Sequence, residues 1–548
     1  MNYNSCANAY QKRTVLASVW PASCFAGSMR LSKQNLRLQP DLTWRRLFGG
    51  IDHEGQALTL QVRRMIVRAV ETGVLGAHAR LPSSRQLAAD LGIGRNTVTA
   101  AYQQLIYEGV LVSRERSGIF AAASADRLAP APAASAESAP DWSSRFAMQP
   151  SRLPQICKPR DWRAHPYPFL FGQYDPGLFP TNDWREAVRA TSSVQEIQVW
   201  ASDMIDDDDP DLSEQLRLQV LPRRGIIAAP GEIIVTIGSQ QALSMLVQLL
   251  VGRDTPVGLE DPGYPDLRNM VQLATRKPVF LASDHQGVLP DERFARSRVA
   301  FLTAGHQCPT TTVMPLERRQ ALLEAAMLHD VLIVEDDYDA DLSIEADSAI
   351  ASLKSLDSAS RVIYVGSFSK VLAPGLRIGY VVAPKPVIDE LRVLRRLMLR
   401  HPPTNNQRTL ATFIALGHHR QHLARAGKAM LERAQLIERL LPVAMPSCRF
   451  SRGAGSTSLW IEGPPELDSR LLVEMARAQG ILIEAGDIFF SNPAMGRRFF
   501  RLGFSSIATH RIEPGLLLLG AVVEDCCRRG RVFRPLAEPA ESPPPSGA

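Results

Sequence analysis

Apolar positions recur in two different rhythms along this chain, and the change of rhythm divides it. Val62, Met65, Ile66, Ala69 and Val70 fall at helical spacing and predict an amphipathic helix beginning near Leu58. Leu87, Ala88 and Leu91 mark a second helix. Ser83 and Gln86 open it as a capping box, each able to satisfy a free N–H at the helix start, and Gly92 closes it. After a short turn, Val98, Ala101, Tyr102 and Leu105 share one face of a third helix, which leaves its leading residues Arg95, Asn96 and Thr97 for a partner. Residues 110–120 then read as a β-hairpin wing. From Pro166 to about Phe533 the rhythm changes. Short continuous apolar runs at 233–237, 299–303, 331–334 and 362–365 alternate with amphipathic stretches, which predicts a mainly parallel α/β sheet. Between the two regions, residues 129–140 are nearly all Ala, Pro and Ser and cannot build a core.

The expected order is therefore a disordered extension over 1–45, an α+β winged helix-turn-helix over 50–122 and a linker over 123–165. A large α/β domain follows over 166–533, then a disordered tail over 534–548. A length of 548 residues is too great for one core and agrees with several domains. The net charge of +6 is small for that length and decides nothing about nucleic acid. Locally, residues 58–122 hold eight arginines, no lysine and four acids, a balance of 8 − 4 = +4.

Seven scattered cysteines without a C-x-x-C pair argue against a disulfide framework or a zinc site and fit a reducing cytoplasm. No apolar run is long enough to span a membrane. Lys12-Arg13 ahead of residues 14–20 has the outline of an export signal, but Pro21 and Ser23 interrupt it. Residues 1–45 are read instead as an extension, with Met29 an alternative start.

Two segments carry candidate chemistry. A short turn between two helices puts the second into the DNA major groove, N-terminus first, so Arg95 and Asn96 would meet base edges or phosphates. Arg85, at the start of the preceding helix, would meet the phosphate backbone. A helical domain with a solvated charged face would show the same pattern.

The second segment runs from Val365 to Arg377 and places Lys370 among Ser367, Ser369 and Arg377, behind an apolar strand. A lysine there can form a Schiff base with an aldehyde cofactor, and the flanking groups can hold a phosphate by charge-assisted bonds. Pyridoxal phosphate needs an acid at its ring nitrogen as well. Asp336 ends an apolar strand, the ligand side of a parallel sheet, with Asp337 a possible substitute. Tyr338, two residues on, points the same way in an extended chain and could bond the ring oxygen. Residues 233–242 read as strand, tight turn and helix start, where Gly238, Ser239 and Gln240 would offer free N–H groups to a phosphate. Tyr264, after a Pro-Gly turn, could stack on the ring. Taken singly, each is an ordinary surface lysine, acidic loop or turn.

Their order adds more. Leu81-Pro-Ser-Ser-Arg85, Arg95-Asn-Thr-Val98, Ala101-Tyr102-Gln-Gln-Leu105 and Glu108-Gly109 resemble the GntR-type winged helix. The resemblance implies DNA contacts from Arg85, Arg95, Thr97 and the wing at Gly118. Arg116 stands where that wing usually has glycine and is a candidate phosphate contact. Phe171-Gly-Gln-Tyr-Asp-Pro-Gly-Leu-Phe-Pro180, Glu260-Asp-Pro-Gly-Tyr264, His306-Gln-Cys-Pro-Thr310, Glu335-Asp-Asp-Tyr-Asp339 and Ser367-Phe-Ser-Lys370 resemble a fold-type I aminotransferase over about 166–530. The whole chain resembles the MocR-type regulators.

That resemblance implies pyridoxal 5'-phosphate on Lys370, an effector carboxylate on Arg501, operator DNA as partner and a homodimer. The signal it implies is an amine, an amino acid or the cofactor itself. Three departures stand out: the acidic run Asp206-Asp-Asp-Asp209 where the family often has a tyrosine, Pro309-Thr310-Thr311 where it has Pro-Thr-Gly, and no arginine after the Asp-Tyr-Asp segment. The alternative is an active aminotransferase with an appended DNA-binding domain.

Overall fold

A computed structural model describes residues 40–49, 57–115, 117–122, 140–339 and 351–532. They form two compact units that divide between Ala147 and Met148.

The first unit holds helices α1 (Pro40–Gly49), α2 (Leu58–Glu71), α3 (Ser84–Leu91) and α4 (Arg95–Tyr107), followed by the antiparallel strands β1 (Leu111–Arg114) and β2 (Gly118–Ala121). The apolar positions expected on α2, α3 and α4 close on one core with Leu111 and Ala121. Ser83 caps α3 by accepting from the Gln86 N–H at 3.2 Å, and Gly92 ends it in the left-handed region at φ 68°. The capping box is only half made: the Gln86 side chain donates to Asp90 Oδ1 at 2.8 Å instead of turning back.

The extension expected over 1–45 is corrected at its end. Residues 40–49 are helical because Trp44 buries its indole in the same core, while Arg45 Nε donates to the Asp90 carbonyl at 2.6 Å. Positions 1–39 and the tail from 533 lie outside the described residues.

The second unit is built on a seven-stranded sheet. Its strands are β3 (Ile233–Thr236), β4 (Val257–Glu260), β5 (Pro278–Leu281), β6 (Val299–Leu302), β7 (Leu332–Asp336), β8 (Val362–Ser367) and β9 (Gly379–Val382). The spatial order is β3-β9-β8-β7-β6-β4-β5, and only β9 runs against the rest. β3, β4, β6, β8 and β9 are buried along their whole length, which is why they read as unbroken apolar runs rather than alternating ones.

Helices α5 (Gly238–Leu250), α6 (Pro265–Ala274), α7 (Leu316–Leu328) and α8 (Lys385–Leu399) belong to this layer; α5, α6 and α8 share one core with the strands, and α7 packs into another. Beyond α9 (Thr404–Ala415) and the long α10 (His418–Ala444) comes a smaller antiparallel sheet of β10 (Arg449–Ser451), β11 (Ser458–Glu462), β12 (Glu484–Ala485) and β13 (Phe499–Gly503). α11 (Ser469–Ala478) and α12 (Thr509–Val532) complete it.

Residues 148–165, expected in the linker, belong to this unit. Asn269 Nδ2 donates to the Pro154 carbonyl at 2.7 Å and Ile156 packs beside Cys308 and Trp460, anchors too short to show as a periodic pattern. Residues 123–139 lie outside the described ones. Among the described residues no helix is long and apolar enough to cross a membrane.

The acidic run at 206–209 is structural. Asp208 is buried in an ion pair with Arg395 and lies 3.1 Å from Arg392, both on α8. Asp209 accepts from the Leu212 N–H at 2.9 Å and so caps the next short helix. Asp208 thus answers two arginines and Asp209 a helix start.

Candidate functional site

In the first unit, α4 presents Arg95 and Asn96 exposed and Thr97 half-buried at its N-terminal turn. That end is open because Val98, Ala101, Tyr102 and Leu105 take the opposite face into the core. α4 is tied at two points: the Tyr102 hydroxyl donates to the Pro82 carbonyl at 2.9 Å, and Arg63 of α2 pairs with Glu108 at 2.9 Å. Arg85 is exposed on the first turn of α3. Gly118 opens β2 at φ +111°, a conformation that favours glycine, and a Cβ there would lie 3.4 Å from Arg80 Nε. The Arg114 guanidinium sits 4.9 Å from the Phe120 ring centroid. Arg85, Arg95, Asn96, Thr97 and Gly118 thus sit on described elements, while Arg116 lies outside the described residues.

In the second unit, the strand ends bring together residues far apart in sequence. Ser367 of β8 is registered on Gly379 of β9, and Gly379 on Thr236 of β3. That row carries the 238 turn and the 367–377 loop to one end of the sheet. Gly238 turns at φ +73°, and a Cβ on it would meet the Arg377 guanidinium at 3.1 Å. Arg377 is exposed and donates to the Ile237 carbonyl at 3.1 Å. Ser239 and Gln240 occupy the first turn of α5, where N–H groups lack helical acceptors. Ser367 Oγ accepts from the Ser369 N–H at 3.2 Å, whereas the buried Ser369 Oγ has no partner among the described residues. Two hydroxyls, a helix start and a guanidinium converge as a phosphate cradle would require.

Asp336 and Asp337 face different sides, and each keeps a buried Oδ1 without a partner among the described residues. Alternation sends Asp337 to the other side, where Arg224 Nε and the Tyr364 hydroxyl both donate to its Oδ2, at 2.7 and 2.8 Å. Asp336 is buried on the Lys370 side, and its Oδ1 has no partner among the described residues. Burial, with Asp337 adding to it, pushes the Asp336 carboxyl up to about 7, and Lys370 opposes that shift. An unpartnered buried carboxylate oxygen is what a protonated pyridine nitrogen needs.

Tyr338 stands edge-on to Phe171 at 5.7 Å, and burial raises its hydroxyl well above the ordinary value. The Tyr264 hydroxyl lies 2.8 Å from Gln240 Oε1 and 3.1 Å from Asp266 Oδ2, which fixes its ring over the start of α6.

Lys370 is partly buried and lies 4.3 Å from the Phe171 ring centroid. Burial, and next the neighbouring Lys158, lower its ammonium to about 8. Gly172 follows Phe171 at φ +75°, and a Cβ there would overlap Lys370 Nζ and approach Lys158 Nζ to 3.5 Å. Arg501 lies between Phe171 and Phe489, at 4.3 and 4.7 Å from their centroids. Its Nε donates to Glu484 Oε2 at 2.6 Å. Glu484 and Arg501 are direct cross-strand neighbours on β12 and β13.

The site thus contains two residues that sequence reading missed. Glu484 is a lone acid in the apolar run 481–485, which was a usable signal; Lys158 had none. The residues present fit pyridoxal phosphate by three independent features: the unpartnered Asp336 oxygen, the unpartnered Ser369 hydroxyl and the cradle at Gly238.

Residues 182–513 match the family described as aminotransferase class I and II, and residues 58–121 match the bacterial regulatory proteins of the gntR family. The chain is 39% identical to the HTH-type transcriptional regulator TauR of Rhodobacter capsulatus, over 84% of this chain and 95% of that one. It is 32% identical to the probable rhizopine catabolism regulatory protein MocR of Rhizobium meliloti, over 81% and 89%. Among solved structures, it is similar to LysN, the α-aminoadipate aminotransferase of Thermus thermophilus, complexed with N-(5'-phosphopyridoxyl)-L-leucine. The TM-score is 0.64 at 26% identity, covering 71% of this chain and 99% of that one.

Proposed function

The chain belongs to the class I and II aminotransferase family and carries a gntR-family domain in front of it, as MocR-type transcriptional regulators do, and from that premise we propose that it binds pyridoxal phosphate at Lys370 and uses the loaded site to sense an amine, an amino acid or the cofactor itself. The observation that carries this reading is the pair of buried, unpartnered oxygens on Asp336 and Ser369 flanking Lys370.

Pyridoxal phosphate supplies an aldehyde and an electron-withdrawing ring. Lys370 Nζ would be the amine that meets the aldehyde. Asp336 Oδ1 would hold a proton on the ring nitrogen, and Tyr338 would orient the ring oxygen. Ser367, Ser369, Arg377 and the first turn of α5 bind the phosphate, with Gly238 leaving the room that Arg377 needs. Tyr264 flanks the ring. Arg501 binds the acidic end of an effector. In the other unit Arg85 binds phosphate, Arg95, Asn96 and Thr97 read the groove, and the wing at Gly118, with Arg116, contacts the backbone.

An effector changes DNA affinity only to the extent that it binds one of two arrangements better than the other. Fold-type I sites form between subunits, so the working form is a homodimer with two readers, placed in the cytoplasm with its operator.

Purified protein mixed with pyridoxal phosphate is expected to gain a visible absorbance band and, after borohydride, a stable adduct at residue 370. Lys370→Ala is expected to lose both. A wild-type protein that stays colourless would leave a dimerising repressor without a cofactor. Turnover of an amino donor at about one per second or faster would assign the protein to active aminotransferases.

A further inference from the structure

Around Arg501 the charges do not balance. Glu484 is the carboxylate shared by two cations: Arg501 at 2.6 Å on Oε2 and Lys158 at 3.3 Å on Oε1. Burial works to raise the Glu484 carboxyl, but Arg501 and Lys158 outweigh it and hold it below its ordinary value. Arg501 and Glu484 are almost wholly enclosed, with side chains 3% and 4% exposed, while Lys158 keeps 25%. The Lys158 ammonium also donates to the Phe171 carbonyl, and its contact with Glu484 Oε1 is an ion pair and not a hydrogen bond, so N–H groups remain for a further acceptor. Two cations on one anion make a surplus of one positive charge in a poorly solvated place, and such a surplus favours one further anion.

Position adds direction. Lys370 and Arg501 touch the same Phe171 ring, each 4.3 Å from its centroid. A small molecule with an amine at Lys370 and an acid at its other end would therefore reach the cluster of Arg501 and Lys158. Of these two, Lys158 is the one open to solvent.

We propose that Lys158 is the effector-selecting residue of this site, receiving an acidic group together with Arg501, and that Glu484 is the internal carboxylate with which that group competes. This rests on the cofactor reading above and narrows it: the effector is an amino acid, not a simple amine, a diamine or the cofactor alone. Lys158 is a positioning and specificity residue and takes no part in holding the cofactor. It is carried by the first segment of the second unit, the stretch through which the chain enters from the DNA-reading one.

The test uses the full chain loaded with pyridoxal phosphate. It is titrated with glycine, β-alanine and 4-aminobutyrate and, in parallel, with methylamine, ethylamine, propylamine and 1,3-diaminopropane, following the bound cofactor's visible band. In the wild type at least one amino acid is expected to half-saturate at a concentration about tenfold or more below the amine that lacks only its acid. Lys158→Met is expected to erase that preference, read as the ratio of amino-acid to amine half-saturation so that any common change at Lys370 cancels, and Lys158→Arg to keep it. Glu484→Gln should tighten amino-acid binding severalfold, because it removes the competing charge; a purely structural Glu484 would weaken or leave it.

A preference that survives in Lys158→Met, or a wild type that takes amines or the diamine best, would overturn the proposal and leave the cofactor reading standing. A wild type with no band at all would overturn both.

Discussion

Lys370 is an amine with a second amine beside it, and that neighbour bears on its protonation. Because burial and Lys158 both disfavour its ammonium, Lys370 loses its proton through pH about 8, well below a solvated lysine. Only the neutral amine attacks an aldehyde. The rate of cofactor loading by the apo protein is therefore expected to rise through that pH. Lys158→Met removes a like charge, so the midpoint moves upward and loading at pH 7 slows about threefold. Rapid-mixing absorbance across pH would check this, and a downward or absent shift would mean that Lys158 exerts no field on Lys370.

Asp336 shows what a sequence can give at this scale. A period of two at a strand end already puts it with Tyr338, and Arg224 then removes Asp337 from contention. Glu484 and Lys158 were not accessible in the same way. One reaches the site by strand register and the other by a segment without periodicity, so only tertiary packing assembles them.

At the level of elements, α1 is the clearest addition. Its buried anchor Trp44, with Leu47 and Phe48 packed beside it, closes the core of α2, α3 and α4, and Arg45 satisfies a carbonyl at the end of α3. Truncating a buried indole on a terminal helix is expected to cost about 2–4 kcal/mol of local stability. Trp44→Ala should therefore raise hydrogen exchange of the α3 and α4 amides in the full chain while leaving those of the large sheet unchanged. Equal protection in variant and wild type would make α1 an ornament.

The three helices beyond it were legible because each carries a strong period and punctuation at Ser83 and Gly92. Four of the six parallel strands, β3, β6, β7 and β8, were legible as apolar runs, whereas β4 and β5 were not singled out. The antiparallel β9 and the whole of the smaller sheet were not singled out, since their strands are short and their partners are set by distant segments. The acidic run at 206–209 showed only as a departure from the family pattern, since its meaning lies in Arg392 and Arg395 on a helix far along the chain.

For the molecule as a whole, the net charge of +6 says little, and the DNA contacts have to be weighed one by one. On the proposed reading, Arg85→Ala removes a phosphate contact. The slope of log affinity against log salt should become shallower by about one per subunit, so by about two if a homodimer spans two half-sites. Arg95→Ala is expected to weaken operator binding by about tenfold or more and to relax preference at one base position. Footprints and salt titrations on the upstream intergenic DNA would measure both. Operator binding by Arg95→Ala that matches the wild type at moderate salt would displace α4 from the groove.

The first unit closes its core entirely with its own side chains, and its recognition helix is pinned at Tyr102 and at Glu108. A reader so braced has one shape to offer. In the proposed homodimer, a message from the other unit would be read in metric terms, as the distance and phase between two such heads. Promoters whose paired boxes are moved by half a helical turn are where that message would be gained or lost.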